Sequence, residues 1–204
     1  MRYFLTVITL LFSSIVASVE IDMSNPNKVI QSVSAKTFAR ITAEGERLQT
    51  DPNYMQVVIE EELLPYFDYK YAAYRVLGTD LKKTTVTQRN DFVEAFRLHL
   101  MNSYGHILFK YDNQNIEIAD NKNFKDAKIV TVPVNVRDKN NQVVQLKFKL
   151  RENKKSGEWK VFDVIAEGVS MLDTKQSEIK DLIQKQGIDK VIQQLQKKNS
   201  EFSL

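Results

Sequence analysis

The stretch from Trp159 to Ile179 changes its period halfway along, and this limits what can surround it. Trp159 to Ile165 is dense in aromatic and β-branched residues, which suit a packed, pleated surface. Gly157 precedes the run and Glu167-Gly168 follows it, so it reads as one strand bounded by turns. Beyond Gly168, the apolar residues Val169, Leu172, Ile179, Leu182 and Ile183 recur at helical spacings. A last strand therefore turns into a C-terminal helix, and Gly168 lets the backbone turn without a Cβ clash. Sheet and helix layers must meet at this corner, so the hydrophobic interior is expected to close there.

The residues before the corner alternate. Val130, Val132, Val134 and Val136 interleave with Thr131, Pro133, Asn135 and Arg137, the pattern of a strand buried on one face. Pro133 within it predicts an edge or a bulge. After a turn-rich loop at Asp138 to Asn141, Val144, Leu146, Phe148 and Leu150 alternate in the same way. Asn115 to Ile118 adds a short strand upstream.

Helices flank this meander. Asn25-Pro26 caps and opens a helix expected to run to about Leu48. Asp51-Pro52 repeats that signal for a second helix through Leu64, stopped by Pro65. Asp68 caps a third helix, Tyr69 to Leu77, ending at Gly78. Thr87 is the expected cap of a long fourth helix, where Phe92, Phe96, Leu100 and Tyr104 form one i, i+4 stripe and Gly105 bends or ends it. After the corner a helix spans about Ser170 to Gln186, Gly187 breaks it, and a basic amphipathic helix follows. Helices, an antiparallel meander, then helices define an α+β class. A curved antiparallel sheet packed against N- and C-terminal helices makes a cone with an internal apolar cavity.

Composition narrows the possibilities. A chain of 204 residues with 43% hydrophobic content fits one domain with a sizeable core. The absence of cysteine excludes a disulfide scaffold, thiol catalysis and thiolate metal sites. Arg2, the apolar run Phe4 to Phe12, and the small residues Ala17-Ser18 form a secretory signal, so residues 1–18 are expected to be cleaved. The apolar stretch from Tyr3 to Val19 is short and interrupted by Thr6, Thr9, Ser13 and Ser14, which argues against a membrane anchor. Residues 19–204 then form a single exported domain. Loss of Arg2 takes the formal charge from +3 to +2, too little to argue for nucleic acid.

Few residues suggest chemistry. His99 and His106 lie two helical turns apart, but two histidines alone make a poor metal site, so no metal is expected and both are read as surface or partner-facing. Asp163 in the last strand fits either a raised-pKa general base in an apolar cone or the cap of a neighbouring loop, and no partner acid or oxyanion donor accompanies it. The sequence has no nucleophile elbow and no phosphate-binding glycine loop. The pairs Lys82-Lys83, Lys154-Lys155 and Lys197-Lys198 fit a solvated surface or electrostatic steering to anionic faces.

Two long stretches carry a family resemblance. ELLPYFDYKYAAYRVLG (Glu62 to Gly78) and WKVFDVIAEGVSMLDTK (Trp159 to Lys175) resemble the MlaC family of periplasmic phospholipid-binding proteins, also called the toluene-tolerance auxiliary family. TQRNDFVEAFRLHLMNSYG (Thr87 to Gly105) is similar to the family's long helix, and GIDKVIQQLQ near the C-terminus also fits. Ile179 and Leu81 depart from the pattern, since similar proteins often carry an aromatic at or near these places.

The resemblance implies a nuclear-transport-factor-like cone that holds a phospholipid's acyl chains and carries the lipid across the periplasm as a monomer. The implied partners are the phospholipid, an outer-membrane Mla lipoprotein–porin complex, and an inner-membrane Mla ABC transporter met through its MCE-domain subunit. It implies no cofactor and no enzymatic activity. Under this reading the expected lining is Val132, Val134, Leu146, Phe148, Leu150 and Val164 from strands, with Tyr74, Phe96, Leu100, Tyr104, Val169 and Met171 from the helical part. An apolar face at such spacings is more often plain core than a ligand cavity. Two other readings stay open: a small-molecule enzyme on the same cone with Asp163 as general base, and a periplasmic interaction module with a filled core.

Overall fold

The structure is a computed structural model that describes residues 21–109, 115–119, 124, 126–137 and 139–201, without the His106 side chain. The expected leader at residues 1–18 lies outside them. The N-terminal part holds α1 (Pro26–Ala43), α2 (Gly45–Thr50), α3 (Tyr54–Glu62), α4 (Tyr69–Leu77) and α5 (Val86–Phe109). The strands β1 (Asn115–Ile118), β2 (Ile129–Arg137), β3 (Val143–Glu152), β4 (Trp159–Ala166) and β5 (Val169–Ser170) follow, and α6 (Met171–Gln186) and α7 (Ile188–Ser200) close the fold. The strands pair in sequence order as one antiparallel sheet, so the α+β class holds.

Caps set most helix starts. The Asn25 side chain accepts from the Asn27 and Lys28 amides, with Pro26 in the first turn, and the Asp68 side chain accepts from the Tyr71 amide. The long helix α5 begins one residue before the expected Thr87 cap, because Thr85 and Gln88 form a reciprocal capping box of 3.2 and 3.0 Å. It passes through Gly105 to Phe109.

The first expected helix breaks at Glu44, just before Gly45, a poor helix former, and resumes as α2. The second starts only at Tyr54, whose amide bonds to Asp51 in a turn, and ends at Glu62. A 3-10 turn over Leu64–Tyr66 then accommodates Pro65.

Pro133 sits inside β2, opposite Lys147 of β3. Its carbonyl accepts from the Ala119 amide, just past the end of β1, so its missing donor falls where the edge strand runs out. The bulge lies elsewhere. Lys149 pairs with Asp163 but Leu150 pairs with Val161, which leaves Phe162 as an extra residue in β4.

The expected corner at Gly168 is a two-residue hairpin. Glu167 and Gly168 both have positive φ, +49° and +83°, as a type I′ turn requires. The Glu167 carboxylate accepts from the Gln145 amide at 2.7 Å and ties the turn to β3. Val169, counted in the helical spacing, instead belongs to β5, and Ser170 caps α6 through the Asp173 amide.

Three apolar clusters form the interior. One lies among α4, α5, α6 and α7, with Phe92, Phe96 and Ile179 buried in it and Phe162 reaching in from β4. The second lies on the sheet face beneath α1, joining Val29, Ile30 and Val33 to Val130, Val132, Val134, Leu150, Trp159 and Val161. The third gathers Ile41, Leu48, Met55, Val58, Ile59 and Met101 around α3 and α5. Ile179 and Leu81, the two departures from the family pattern, both pack in the first cluster, away from the sheet face.

Candidate functional site

The sheet face is a continuous apolar surface of the interior. Register places Val132 opposite Phe148 and Val134 opposite Leu146, and Phe148 is in turn opposite Val164 of β4. Val132 and Leu150 are fully buried, whereas Leu146 and Phe148 keep part of their surface accessible. Alternation sends Lys147, Lys149 and Arg151 to the opposite face, so these three cations stay off the apolar side, and Glu152, in register with Trp159, falls on it only at the end of β3.

The clusters meet at a seam. Leu63 packs against both the sheet-face cluster and the α3 cluster, and Phe67 against both the sheet-face and the helical cluster. Tyr104 of α5 packs on the α3 cluster, and its ring lies 5.9 Å from that of Phe67. Two surface clefts adjoin this region. One, of about 300 Å³, is lined by Ile41, Leu48, Met55 and Phe109, and the other, of about 220 Å³, stops at Phe67 beside Asp68, Lys70 and Arg151. Each is smaller than two acyl chains need, which is near the top of the usual range of about 300–1,000 Å³.

Polar groups in the interior are few. Thr37 is 1% exposed, and its hydroxyl has no hydrogen-bond partner among the described residues. Leaving such a group unsatisfied costs about 1–3 kcal/mol. The Tyr104 hydroxyl forms no hydrogen bond with the described residues, and burial, reinforced by the charge of Asp163, pushes its pKa well up, so it stays a donor.

Glu62 is buried at the end of α3. Burial alone raises its pKa, but Lys36 and Arg40 of α1, at 2.9 and 2.8 Å, outweigh that and hold it below the usual value. This pairing locks α1 to α3 from the polar side.

Asp163 is 2% exposed and lies on the sheet face opposite Phe148, where Lys149 pairs with it at 3.3 Å. It accepts from the Leu172 amide at 3.1 Å and from the Ser170 hydroxyl at 2.8 Å. The Leu172 bond satisfies an orphan amide at the start of α6 and the Ser170 bond steadies its N-cap side chain, so the carboxylate helps cap a helix at the corner. His99 is buried between α5 and the C-terminal helices, where burial and then the nearby Lys175 and Lys198 push its pKa down to about 4. Both histidines are expected to face the surface or a partner; His99 does not, since α5 turns it inward, and the His106 side chain lies outside the described residues. Among the described residues no group of three or more metal-ligating side chains assembles.

The expected lining residues are divided by the fold. Val132, Val134, Leu146, Phe148 and Leu150 share the sheet-face cluster, Val164 is buried beside them in register, and Tyr104 stands at the seam. Phe96 and Leu100 pack in the helical cluster. Tyr74 is half-buried, with the Lys70 ammonium 6.0 Å from its ring. Val169 and Met171 are exposed at the corner. Sequence reasoning missed Thr37, Leu63 and Phe67. The one available signal was Thr37, a polar residue four positions after Val33 and four before Ile41 on an otherwise apolar stripe.

A family model described as MlaC protein matches residues 31–197. A Haemophilus influenzae protein named intermembrane phospholipid transport system binding protein MlaC is 32% identical over 203 residues, covering 98% of this chain and 95% of that protein. The toluene tolerance protein ttg2D of Pseudomonas putida is 27% identical over 165 residues, covering 80% and 75%. Among solved structures, a Ralstonia solanacearum phospholipid-binding protein in complex with a phospholipid superposes with a TM-score of 0.78 at 19% identity, covering 87% of this chain and 98% of that one. That likeness shows a shared fold. With the family model spanning most of the residues and a relative one-third identical along nearly the full length, this chain belongs to the MlaC protein family.

Proposed function

We propose that this protein is a periplasmic phospholipid carrier, exported by cleavage of residues 1–18 and working as a single domain over residues 19–204. It takes lipid between an outer-membrane Mla lipoprotein–porin complex and an inner-membrane Mla ABC transporter with an MCE-domain subunit, and so maintains outer-membrane lipid asymmetry. It acts as a monomer and catalyses no reaction.

One observation carries this reading: an apolar sheet face formed by Val132, Val134, Leu146, Phe148 and Leu150, under a helix layer in a fold shared with a protein that was solved with a phospholipid bound. Two acyl chains hold about 30 methylenes at about 0.8 kcal/mol each, so their exposure to water costs roughly 20 kcal/mol or more. A carrier has to offset nearly all of this with apolar contact, yet not exceed it, or the lipid is never released. Contact is proposed chiefly at Val132, Val134, Leu146, Phe148, Leu150, Val164 and Tyr104. Phe96 and Leu100 support the wall from behind, and Tyr74, Val169 and Met171 lie where a lipid or a docking partner reaches the surface. The enzymatic alternative loses its base, since the Asp163 carboxylate is engaged by Leu172, Ser170 and Lys149.

The test is native and denaturing mass spectrometry of protein purified from a Gram-negative periplasm. About one phospholipid per chain is expected. A lipid-free protein that also takes none from labelled vesicles would sink the reading.

A further inference from the structure

The seam contains two hydroxyls that have no partner among the described residues. Thr37 continues the stripe of α1 that puts Val33 into the sheet-face cluster and Ile41 into the α3 cluster, so it stands between the two. Its side chain is buried and its hydroxyl is unbonded. Tyr104 faces the same seam through Phe67, and its hydroxyl is likewise unbonded among the described residues. The apolar residues shared between the clusters there are Leu63 and Phe67. A hydrocarbon chain alone gives a hydroxyl nothing to bond. The ligand chemistry that suits such a place is mostly apolar with an isolated acceptor, and the ester carbonyl that joins an acyl chain to glycerol has that character.

We propose that Thr37, seconded by Tyr104, donates a hydrogen bond to an ester carbonyl of the bound lipid, so that the protein selects ester-linked over ether-linked phospholipid. This rests on the carrier reading and adds a polar anchor to it. An ether oxygen is the weaker acceptor and leaves the buried hydroxyl poorly met. Selection therefore acts on the linkage between chain and glycerol and is independent of the head group.

The experiment is a competition. Delipidated protein is offered vesicles containing equal amounts of a diacyl phosphatidylglycerol and its dialkyl ether analogue with matched chains, and bound lipid is read by native mass spectrometry. The wild type is expected to favour the ester by about three- to tenfold, the range set by one neutral hydrogen bond. Thr37→Val, close in shape but without the hydroxyl, should bring the ratio near one, and Thr37→Ser should keep it. Lipid-free Thr37→Val should melt no lower than wild type, because it loses a hydroxyl with no partner. Tyr104→Phe should lower the ratio less. A wild-type ratio near one, or a Thr37→Val ratio equal to that of wild type, would overturn the proposal while lipid binding stood. Uptake of neither lipid by the wild type would overturn both readings together.

Discussion

His99 makes the stability of this protein sensitive to acid. Its neutral form is favoured in the folded state, with a pKa of about 4 against an unfolded value near 6.5. The contribution is complete above pH 6.5 and is lost as the pH falls toward 4, where the folded state also protonates. The loss amounts to about 3 kcal/mol at most. Urea unfolding at pH 7.5 and 4.5 should therefore show a smaller acid loss for His99→Gln than for wild type. Glu62 acts at lower pH: its folded pKa is depressed by Lys36 and Arg40, so its stabilisation is present above the ordinary carboxylate pKa and fades as the pH drops through the folded value. Glu62→Ala leaves Arg40 without its buried partner and should cost about 3 kcal/mol by urea denaturation at neutral pH, the low end for a broken buried pair because Lys36 and Arg40 are partly solvated. Neither environment was legible in the sequence, since both depend on residues brought in from other helices.

At the scale of elements, the corner between β4 and α6 is the joint that holds sheet to helices. Asp163 reaches it because the bulge at Phe162 shifts the register by one residue, so that the carboxylate meets Lys149 and the start of α6. Asp163→Asn should destabilise the fold by about 2 kcal/mol, as charge-assisted bonds to an amide and a lysine weaken. Its lipid content per folded chain should stay at the wild-type level, an outcome that a catalytic or lipid-contacting role would not give. Gly168→Ala forces a Cβ into a positive-φ turn position and should lower stability by about 1 kcal/mol, measured by thermal unfolding. The alternating valines, the caps at Asn25 and Asp68 and the glycine turn were readable because each is a local rule acting within a few residues. The Thr85–Gln88 capping box was readable too, although the sequence reading chose Thr87 (a competing threonine two places on). The bulge was not, because register is decided between strands.

For the whole molecule, occupancy by lipid should show as stability. A ligand that binds only the folded state adds RT ln(1 + [L]/Kd), about 2.7 kcal/mol at a hundredfold excess over Kd. Delipidated protein should therefore melt several degrees below protein as purified, and adding phospholipid vesicles should restore the difference, read by calorimetry. The sequence by itself determined the α+β order, the strand faces and the family, because these follow from period, caps and long matched stretches. Only the tertiary structure decided which apolar residues share a wall. Phe96 and Val132 look alike in one dimension, yet one packs among helices and the other on the sheet face. It also decided that Asp163 caps a helix and that Thr37 is left without a partner among the described residues. The physical reason is common to all three: burial and hydrogen-bond satisfaction are properties of neighbours distant in the chain, which no local pattern specifies.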